Sequence, residues 1–314
     1  MQVIRDHDDS PAPIDGFAVT IGVYDGVHLG HQAVIRTTQT HAERLGVGTA
    51  VVTFDRHPAT LLRPESAPLL LTSLDQKLEL LDAAGVDCTY VVHFDEARSK
   101  EQAEDFVAEV LVGRMAARAV VVGEDFHFGH QRGGNVALLR EMGARHGFEV
   151  DGLSLLGRDD ATEPVSSTAI RRSLAGGDVA AAGRMLGRPY ELRGTVVAGD
   201  QRGRQIGFPT ANIPVPRAMA VPADAVYAGW YLHPDGTRHP AALNLGRRPT
   251  FYEHADTSLL EAHLIDFEGD LYDDLARVQF VELLRSEVRF ESVEALAAQL
   301  ERDIDAARRV LGVD

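Results

Sequence analysis

From residue 17 to residue 155 the chain alternates short, almost wholly apolar β-forming runs with amphipathic helical stretches. Strand-like runs fall at Phe17–Val23, Gly48–Phe54, Cys88–His93, Arg118–Val122 and Phe148–Leu155, with helical patterns between them at Gln32–Leu45, Leu74–Ala84, Glu101–Met115 and Val136–His146. Ser73 and Gln76 are spaced as a capping box for the second helix, and Gly85 is placed to stop it. Strands without a polar face need cover on both sides, and the intervening helices supply it. The order therefore predicts an α/β unit with a parallel sheet covered on both faces. In such sheets ligands bind at the carboxyl ends of the strands. The loops after Val23, Phe54 and Val122 all fall at that end.

The first of these loops lies in Ile21–Gln32, IGVYDGVHLGHQ. It places His28 and His31 around Gly30 where a strand turns into a helix, with Gly22 and Asp25 in the same turn. The opening N–H groups of a helix lack partners and carry partial positive charge, so this junction is a natural phosphate site. Two imidazoles add donors beside the phosphates. Nucleotidyl transfer needs this, because a phosphorus centre gathers negative charge and is stabilised without a covalent intermediate. The blander reading of the same residues is a turn glycine and two satisfied polar histidines.

A helical bridge is expected over Ser167–Leu186, and Gly187–Pro189 then marks a change of character. From Tyr190 to Arg289 short strands, turns and Gly/Pro breakers predict a small barrel or sandwich. Val293, Leu296, Leu300, Ile304, Ala307 and Leu311 recur at helical spacing after Ser292, an expected N-cap. The expected domains are 1–187 and 188–314. Within the second, Gly199–Asn212 (GDQRGRQIGFPTAN) is a candidate nucleotide site. Gly199, Gly203 and Gly207 permit tight turns, Arg202 and Arg204 can reach phosphate oxygens, and Pro209 fixes the chain before Thr210 and Asn212. The hydroxyl and amide oxygens of these two suit Mg²⁺. The alternative is a Gly/Pro-rich surface hairpin. In the strand Leu259–Ile265, Glu261 and His263 share one face, and Leu260, Ala262 and Leu264 the other. A carboxylate there can accept a proton from an attacking hydroxyl.

The chain has 31 basic and 47 acidic residues, a net charge of −16. That argues against general nucleic-acid binding and against docking to anionic membranes. Arginine pairs at 171/172, 202/204 and 247/248 instead suit a small phosphorylated ligand. Cys88, the one cysteine, rules out an intramolecular disulfide and a thiolate metal cluster, and it sits in an apolar run. No signal peptide and no bilayer-spanning run is visible, so a cytoplasmic setting is expected. The oligomeric state stays open.

Over nearly its whole length the chain resembles the bifunctional bacterial riboflavin kinase/FAD synthetases. The resemblance is carried by IGVYDGVHLGHQ, TFDRHP (53–58), VVGEDFHFG (121–129), SSTAIRR (166–172), GRPY, RGRQIGFPTAN, PADAVYAGWY, RPTF and LEAHLIDFEGDLY, in that order. It implies an N-terminal Rossmann-like nucleotidyltransferase domain and a C-terminal riboflavin-kinase-type small β-barrel with a terminal helix. The C-terminal module would phosphorylate riboflavin to FMN with ATP. The N-terminal module would transfer AMP from a second ATP to FMN, giving FAD and pyrophosphate. Both would use Mg²⁺. By position, His28 and His31 would stabilise adenylyl transfer, helped by a helix start at His31. Ser166, Ser167, Thr168 and Arg171 would form a second phosphate-binding segment. Gly123, Asp125 and Phe126 would line the site shared by nucleotide and FMN, with Asp55 and His57 at its rim. Thr210 and Asn212 would help bind Mg²⁺-ATP, and Glu261 would be the general base.

Three positions depart from the family pattern. Asp125 replaces the usual Asn of GENFxFG, Arg248 the Asn before Pro-Thr-Phe, and Arg56 the first proline of DPHP. The charge at Asp125 is expected to weaken FMN or ATP binding unless Mg²⁺ or an arginine meets it. The alternatives are a monofunctional riboflavin kinase with a drifted N-terminal module, a non-catalytic flavin-binding regulator, and a nucleotidyltransferase acting on another phosphorylated acceptor. Intact His28, His31, Thr210, Asn212 and Glu261 count against a regulator, and the barrel against the other transferase.

Overall fold

The computed structural model describes residues 1–6, 8, 15–154, 164–199, 203, 206–247 and 258–314. Their contacts divide them into two units, Met1–Ser166 and Ser167–Asp314.

The first unit is built on β1 (Gln2–Arg5), β2 (Phe17–Ile21), β3 (Gly48–Phe54), β4 (Cys88–Val92), β5 (Ala119–Gly123) and β8 (Glu149–Leu153), with a two-stranded ribbon of β6 (His127–Phe128) and β7 (Gly134–Asn135). The six strands form one sheet in the order β1-β4-β3-β2-β5-β8, and every pair is parallel. Its helices are α1 (Leu29–Leu45), α2 (Ala59–Leu62), α3 (Leu74–Ala83), α4 (Glu96–Ser99), α5 (Ala103–Phe106) and α6 (Val136–His146). Every residue of β2 and β4 is buried, as strands covered on both faces require. After β2 the chain builds outward through β3 and β4, then returns to add β5 and β8 on the other side. The end of β2 is therefore the point where connections diverge and a ligand crevice opens.

Several elements differ from their expected bounds. α1 begins at Leu29 rather than Gln32 or His31, because the His28 side chain caps it. The helix expected over Glu101–Met115 starts as α5 and continues as a π-helix over Val107–Arg114, with the Met115 amide reaching back to the Val110 carbonyl. β1 gave no sequence signal, being four residues long with one buried side chain at the sheet edge. The capping box at Ser73 and Gln76 forms, and Gly85 follows α3 with φ +77°.

The second unit opens with α7 (Ser167–Ala175) and α8 (Val179–Leu186) in place of one helical bridge. Gly177 turns with φ +80°, and Asp178 caps α8 by accepting from the Ala181 amide. The Leu174 carbonyl accepts from the Ala223 amide, so by contact these helices go with the strands that follow. The physical division thus falls ahead of the expected boundary at 187/188.

Those strands are β9 (Tyr190–Thr195), β10 (Ala211–Pro214), β11 (Ala225–Leu232), β12 (Arg238–Arg247), β13 (Ser258–Leu264) and β14 (Leu275–Ser286). They form an antiparallel sheet in the order β10-β13-β12-β11-β14-β9. Its edges meet where Val197 bridges Asn212. A Cβ on Gly194 would stand 2.8 Å from Ile213, so glycine lets β9 lie against β10 and the sheet curl into a small barrel. Leu192, Ile213, Leu243, Leu260, Val278 and Phe280 fill the interior. The terminal helix α9 (Val293–Leu311), capped by Ser292, lays Ile304, Ala307 and Leu311 on the outer face against Ala228, Ala242 and Leu284. No helix among the described residues is long and apolar enough to cross a membrane.

Candidate active sites

In the first unit the chain leaves β2 through a constrained loop. Tyr24 and Val27 are buried with φ of +53° and +39°, conformations that cost side-chain-bearing residues about 1–3 kcal/mol each and persist only where the surroundings enforce them. The surroundings here are specific. The buried Asp25 carboxylate accepts from the amides of Leu71 (2.9 Å) and Thr72 (3.1 Å), and the Gly26 amide donates to the Thr72 hydroxyl. The Tyr24 and Thr20 hydroxyls lie 2.7 Å apart, and Gln32 donates to the Val27 carbonyl. Asp25 thus holds the loop in shape.

That shape delivers the two histidines. Nδ1 of His28 accepts from the His31 amide at 3.3 Å. A nitrogen that accepts carries no proton, so the neutral His28 ring keeps its proton on Nε2. The rings of His28 and His31 stack with centroids 3.6 Å apart, and Tyr24 lies 4.8 Å from His31 on a tilt. A Cβ on Gly30 would come within 3.1 Å of the His28 ring, which is why the residue between the histidines is glycine. Burial, the neighbouring His28 and Lys77 hold the His31 pKa well below the usual histidine range, so the ring is neutral. Its buried Nδ1 has no hydrogen-bond partner among the described residues. Ahead of it, the first-turn amides of Leu29 and Gly30 have no acceptor within the helix. The Val165 carbonyl stands 3.4 Å from a Cβ built on Gly30, so the chain just before Ser166 passes this helix start.

The second loop follows β3. Burial works against the Asp55 carboxylate, yet its pKa falls, because the Phe94 amide, His93 (2.7 Å) and Arg56 outweigh that cost. Arg56, one of the three departures, is exposed and pairs with Asp55 at 3.6 Å. His57 accepts from the Ala59 amide through Nδ1 and so anchors α2. Gly22, at the foot of the first loop, bonds to the Val52 carbonyl of β3.

The third loop follows β5. Its Phe126 amide turns back to the Gly123 carbonyl, Asp125 is exposed, and its carbonyl accepts from His127 Nδ1 at 2.7 Å. Phe126 and Phe128 stack at 5.5 Å. The hydroxyl segment divides between the units: Ser166 ends the first, while Ser167 and Thr168 open α7, with Arg171 one turn on.

In the second unit, register places Asn212 of β10 opposite Glu261 of β13, and Glu261 opposite Asn244 of β12. The three polar side chains form one row on the face turned away from the barrel core. Asn244 donates to Glu261 Oε2 at 3.2 Å. Asn212 donates to the Thr210 carbonyl, and its buried Oδ1 has no partner among the described residues. A Cβ on Gly199 would collide with the Asn212 amide at 2.5 Å, and Gly207 turns with φ +90°. His263 donates from Nδ1 to the Pro209 carbonyl at 2.8 Å and so fixes the Pro-Thr-Ala-Asn segment.

Two cavities meet at this segment. One, of about 390 Å³, is lined by Gly199, Pro209, Thr210, Asn212 and the Phe267–Tyr272 loop. The other, of about 650 Å³, lies between the barrel and α9 and takes in Glu261, Asn244, His263, Arg285 and Asp303. Gly203, Thr210 and Asn212 line both, while Glu261 lines only the larger. Arg202, Arg204 and Arg248 lie outside the described residues.

Residues 11–169 match the family model described as FAD synthetase, and residues 186–311 that described as riboflavin kinase. Curated relatives named bifunctional riboflavin kinase/FMN adenylyltransferase match almost end to end. The Haemophilus influenzae protein is 37% identical over 98% of both chains, and that of Escherichia coli K12 37% identical over 100% of this chain and 99% of its own. The Pseudomonas fluorescens protein is 38% identical over 98% of this chain and 97% of its own.

The chain belongs to the bifunctional riboflavin kinase/FMN adenylyltransferase family.

A solved Streptococcus pneumoniae structure, described as a macrolide-efflux protein, superposes with a TM-score of 0.86 at 28% identity, covering 98% of this chain and 99% of its own. Two residues of this family member escaped sequence reasoning. Asn244 follows only from strand register. Lys77 sits on the buried side of α3, one turn before the fully buried Leu81, and that is its one sequence signal.

Proposed function

We propose that this chain makes both flavin cofactors: the second unit converts riboflavin and ATP to FMN and ADP, and the first converts FMN and ATP to FAD and pyrophosphate. The observation that carries the reading is that the FAD synthetase region lies in the first unit apart from residues 167–169, while the riboflavin kinase region lies wholly in the second, each with its own cluster of phosphate-handling residues. The functional boundary is taken at 187/188, and the setting as cytoplasmic.

In the kinase unit, ATP occupies the smaller cavity and riboflavin the larger, so the γ-phosphate and the ribityl 5′-hydroxyl meet beside Thr210 and Asn212. Glu261, on the acceptor side of that junction, takes the hydroxyl proton as the oxygen attacks the γ-phosphorus and ADP departs. Asn244 holds the carboxylate through Oε2. The donor set fits Mg²⁺: the Thr210 hydroxyl and the unpartnered Asn212 Oδ1 are hard oxygen ligands. Bound there, the ion neutralises charge on the ATP phosphates.

In the first unit, a phosphate oxygen of FMN attacks the α-phosphorus of ATP and pyrophosphate leaves. His28 donates from Nε2, and the neutral His31 adds a second imidazole. The Leu29 and Gly30 amides supply the helix-start field. Ser166, at the end of this unit, holds a phosphate oxygen of ATP, the role the resemblance also gives Ser167, Thr168 and Arg171. Gly123, Asp125, Phe126, Asp55 and His57 border the FMN end. In the kinase unit Arg202 and Arg204 contribute phosphate contacts.

The test is to incubate purified protein with riboflavin and Mg²⁺-ATP and separate the flavins. FMN followed by FAD is expected. FMN alone leaves a monofunctional kinase, and neither product ends the proposal.

A further inference from the structure

Lys77 is a buried cation for which the chemistry above has no use. It projects from α3 beneath the carboxyl ends of β2 and β3 and is 7% exposed. Its ammonium donates to three protein acceptors: the Val23 carbonyl at 3.1 Å, the Thr53 hydroxyl at 3.1 Å and the Phe54 carbonyl at 2.9 Å. An ammonium has three donors, so all are engaged. Val23 begins the loop that carries His28 and His31, and Phe54 begins the loop that carries Asp55 and His57. Thr53 joins the two independently by donating to the Val23 carbonyl at 3.0 Å.

We propose that Lys77 is a positioning residue for adenylyl transfer, its ammonium latching the histidine loop to the Asp55–His57 loop so that both face one set of phosphates. The inference rests on reading the first unit as the adenylyl-transfer site. Burying an ammonium is costly, and nothing in a sheet of apolar strands requires one. A leucine would fill the volume. What a leucine cannot do is bind two loop carbonyls and one hydroxyl at once.

The latch has a built-in charge requirement. A neutral amine has two N–H groups and a lone pair. The Thr53 hydroxyl has one proton and can give it to Val23 or to that lone pair, not to both. Deprotonation therefore costs the network that joins the two loops one of its four hydrogen bonds. Burial pushes the Lys77 pKa down to about 8, against the opposing pull of Asp25 and Asp55. The positive charge also disfavours protonation of His31, together with burial and His28.

The experiment measures FAD formation from FMN and Mg²⁺-ATP across pH in the full-length protein, with FMN formation from riboflavin as the reference in the same chain. Wild-type FAD formation is expected to fall as pH rises through about 8, a limb that riboflavin phosphorylation lacks. Lys77→Met is expected to lower kcat for FAD formation on the order of tenfold or more, a geometric loss. It also removes the alkaline limb, moves any acid limb to higher pH, and leaves riboflavin phosphorylation unchanged. Thr53→Val keeps the side-chain volume and removes one acceptor. It therefore moves the alkaline limb to lower pH, and it decides the matter if Lys77→Met does not fold. An unchanged rate and pH profile in a folded Lys77→Met, or an unmoved limb in Thr53→Val, overturns the latch alone. Wild-type protein that makes FMN but no FAD overturns the adenylyl-transfer reading, and the latch with it.

Discussion

Replacing Glu261 with glutamine isolates proton acceptance from everything else that residue does. The carboxylate accepts from Asn244 at 3.2 Å and stands in register with Asn212. A glutamine is the same size and offers a carbonyl oxygen to the Asn244 amide, so packing and that hydrogen bond survive. The stability change is expected within about 0.5 kcal/mol, as for substitutions that disturb no core contact. What is lost is basicity. Removing a general base typically lowers kcat by about 10²–10⁴, or roughly 3–5 kcal/mol of barrier at 1.36 kcal/mol per decade. The smaller cavity's lining is untouched and the larger one keeps its shape, since glutamine takes the volume of Glu261, so KM for ATP and for riboflavin should hold. The assay is flavin chromatography in two arms: riboflavin with Mg²⁺-ATP, then FMN with Mg²⁺-ATP. The first arm should stall and the second should yield FAD at the wild-type rate. FMN formation within a few-fold of wild type would remove Glu261 from the chemistry and leave positioning as the kinase unit's contribution. A rise in KM with kcat unchanged would make the carboxylate a ground-state binder instead.

The other expectations follow from the first unit. The double variant His28→Ala/His31→Ala should lose FAD formation and keep FMN formation; loss of both products would contradict independent sites. His31 has a folded pKa below the ordinary 6.5. As pH falls below that value the unfolded chain takes up a proton that the folded chain refuses. The stability is therefore whole above 6.5 and declines below it, by up to about 1.4 kcal/mol per pH unit from this group. Denaturant titrations between pH 7 and 5 should show that slope flattened in His31→Asn, and identical slopes would dismiss the neutral-ring account. Asp25→Ala strips the acceptor from the buried amides of Leu71 and Thr72. It should cost about 3–5 kcal/mol, or on the order of 10 °C in the melting temperature of the first unit; a melting temperature unchanged from wild type would show that the loop holds its shape without it.

How much of this was readable in the chain depends on whether the signal was local. The parallel sheet was legible because β2, β3 and β4 are apolar on both faces, and the capping box at Ser73 because its partner is three residues away. The start of α1 was misplaced because His28 is not a usual cap. Only the fold shows that its Nδ1 points back at the His31 amide. α7 and α8 merged into one bridge because glycine can stay helical, and nothing in the sequence reveals that Gly177 turns with φ +80°.

The sites divide along the same line. Glu261 and His263 were placed on one strand face by parity alone, and both lie there, but the Asn244 partner needed the register between β12 and β13. Arg56 shows what a departure from a motif can become: the lost proline frees a side chain that pairs with Asp55, adding to His93 and the Phe94 amide in holding that carboxylate ionised. Among the described residues Asp125 has gained no such partner. Its carbonyl accepts from His127, while the residue stays exposed at the mouth of the β5 loop. An exposed carboxylate repels a phosphate mainly through water, at about 1 kcal/mol for two unit charges 4 Å apart in bulk solvent, and salt screens it further. The penalty from Asp125 is therefore a few-fold in affinity at ordinary salt and smaller at high salt. That is too little to silence a site whose histidines, helix start and loop anchors are in place. Asp125→Asn should accordingly tighten FMN binding a few-fold at low ionic strength and hardly at all at high, with kcat for FAD formation unmoved.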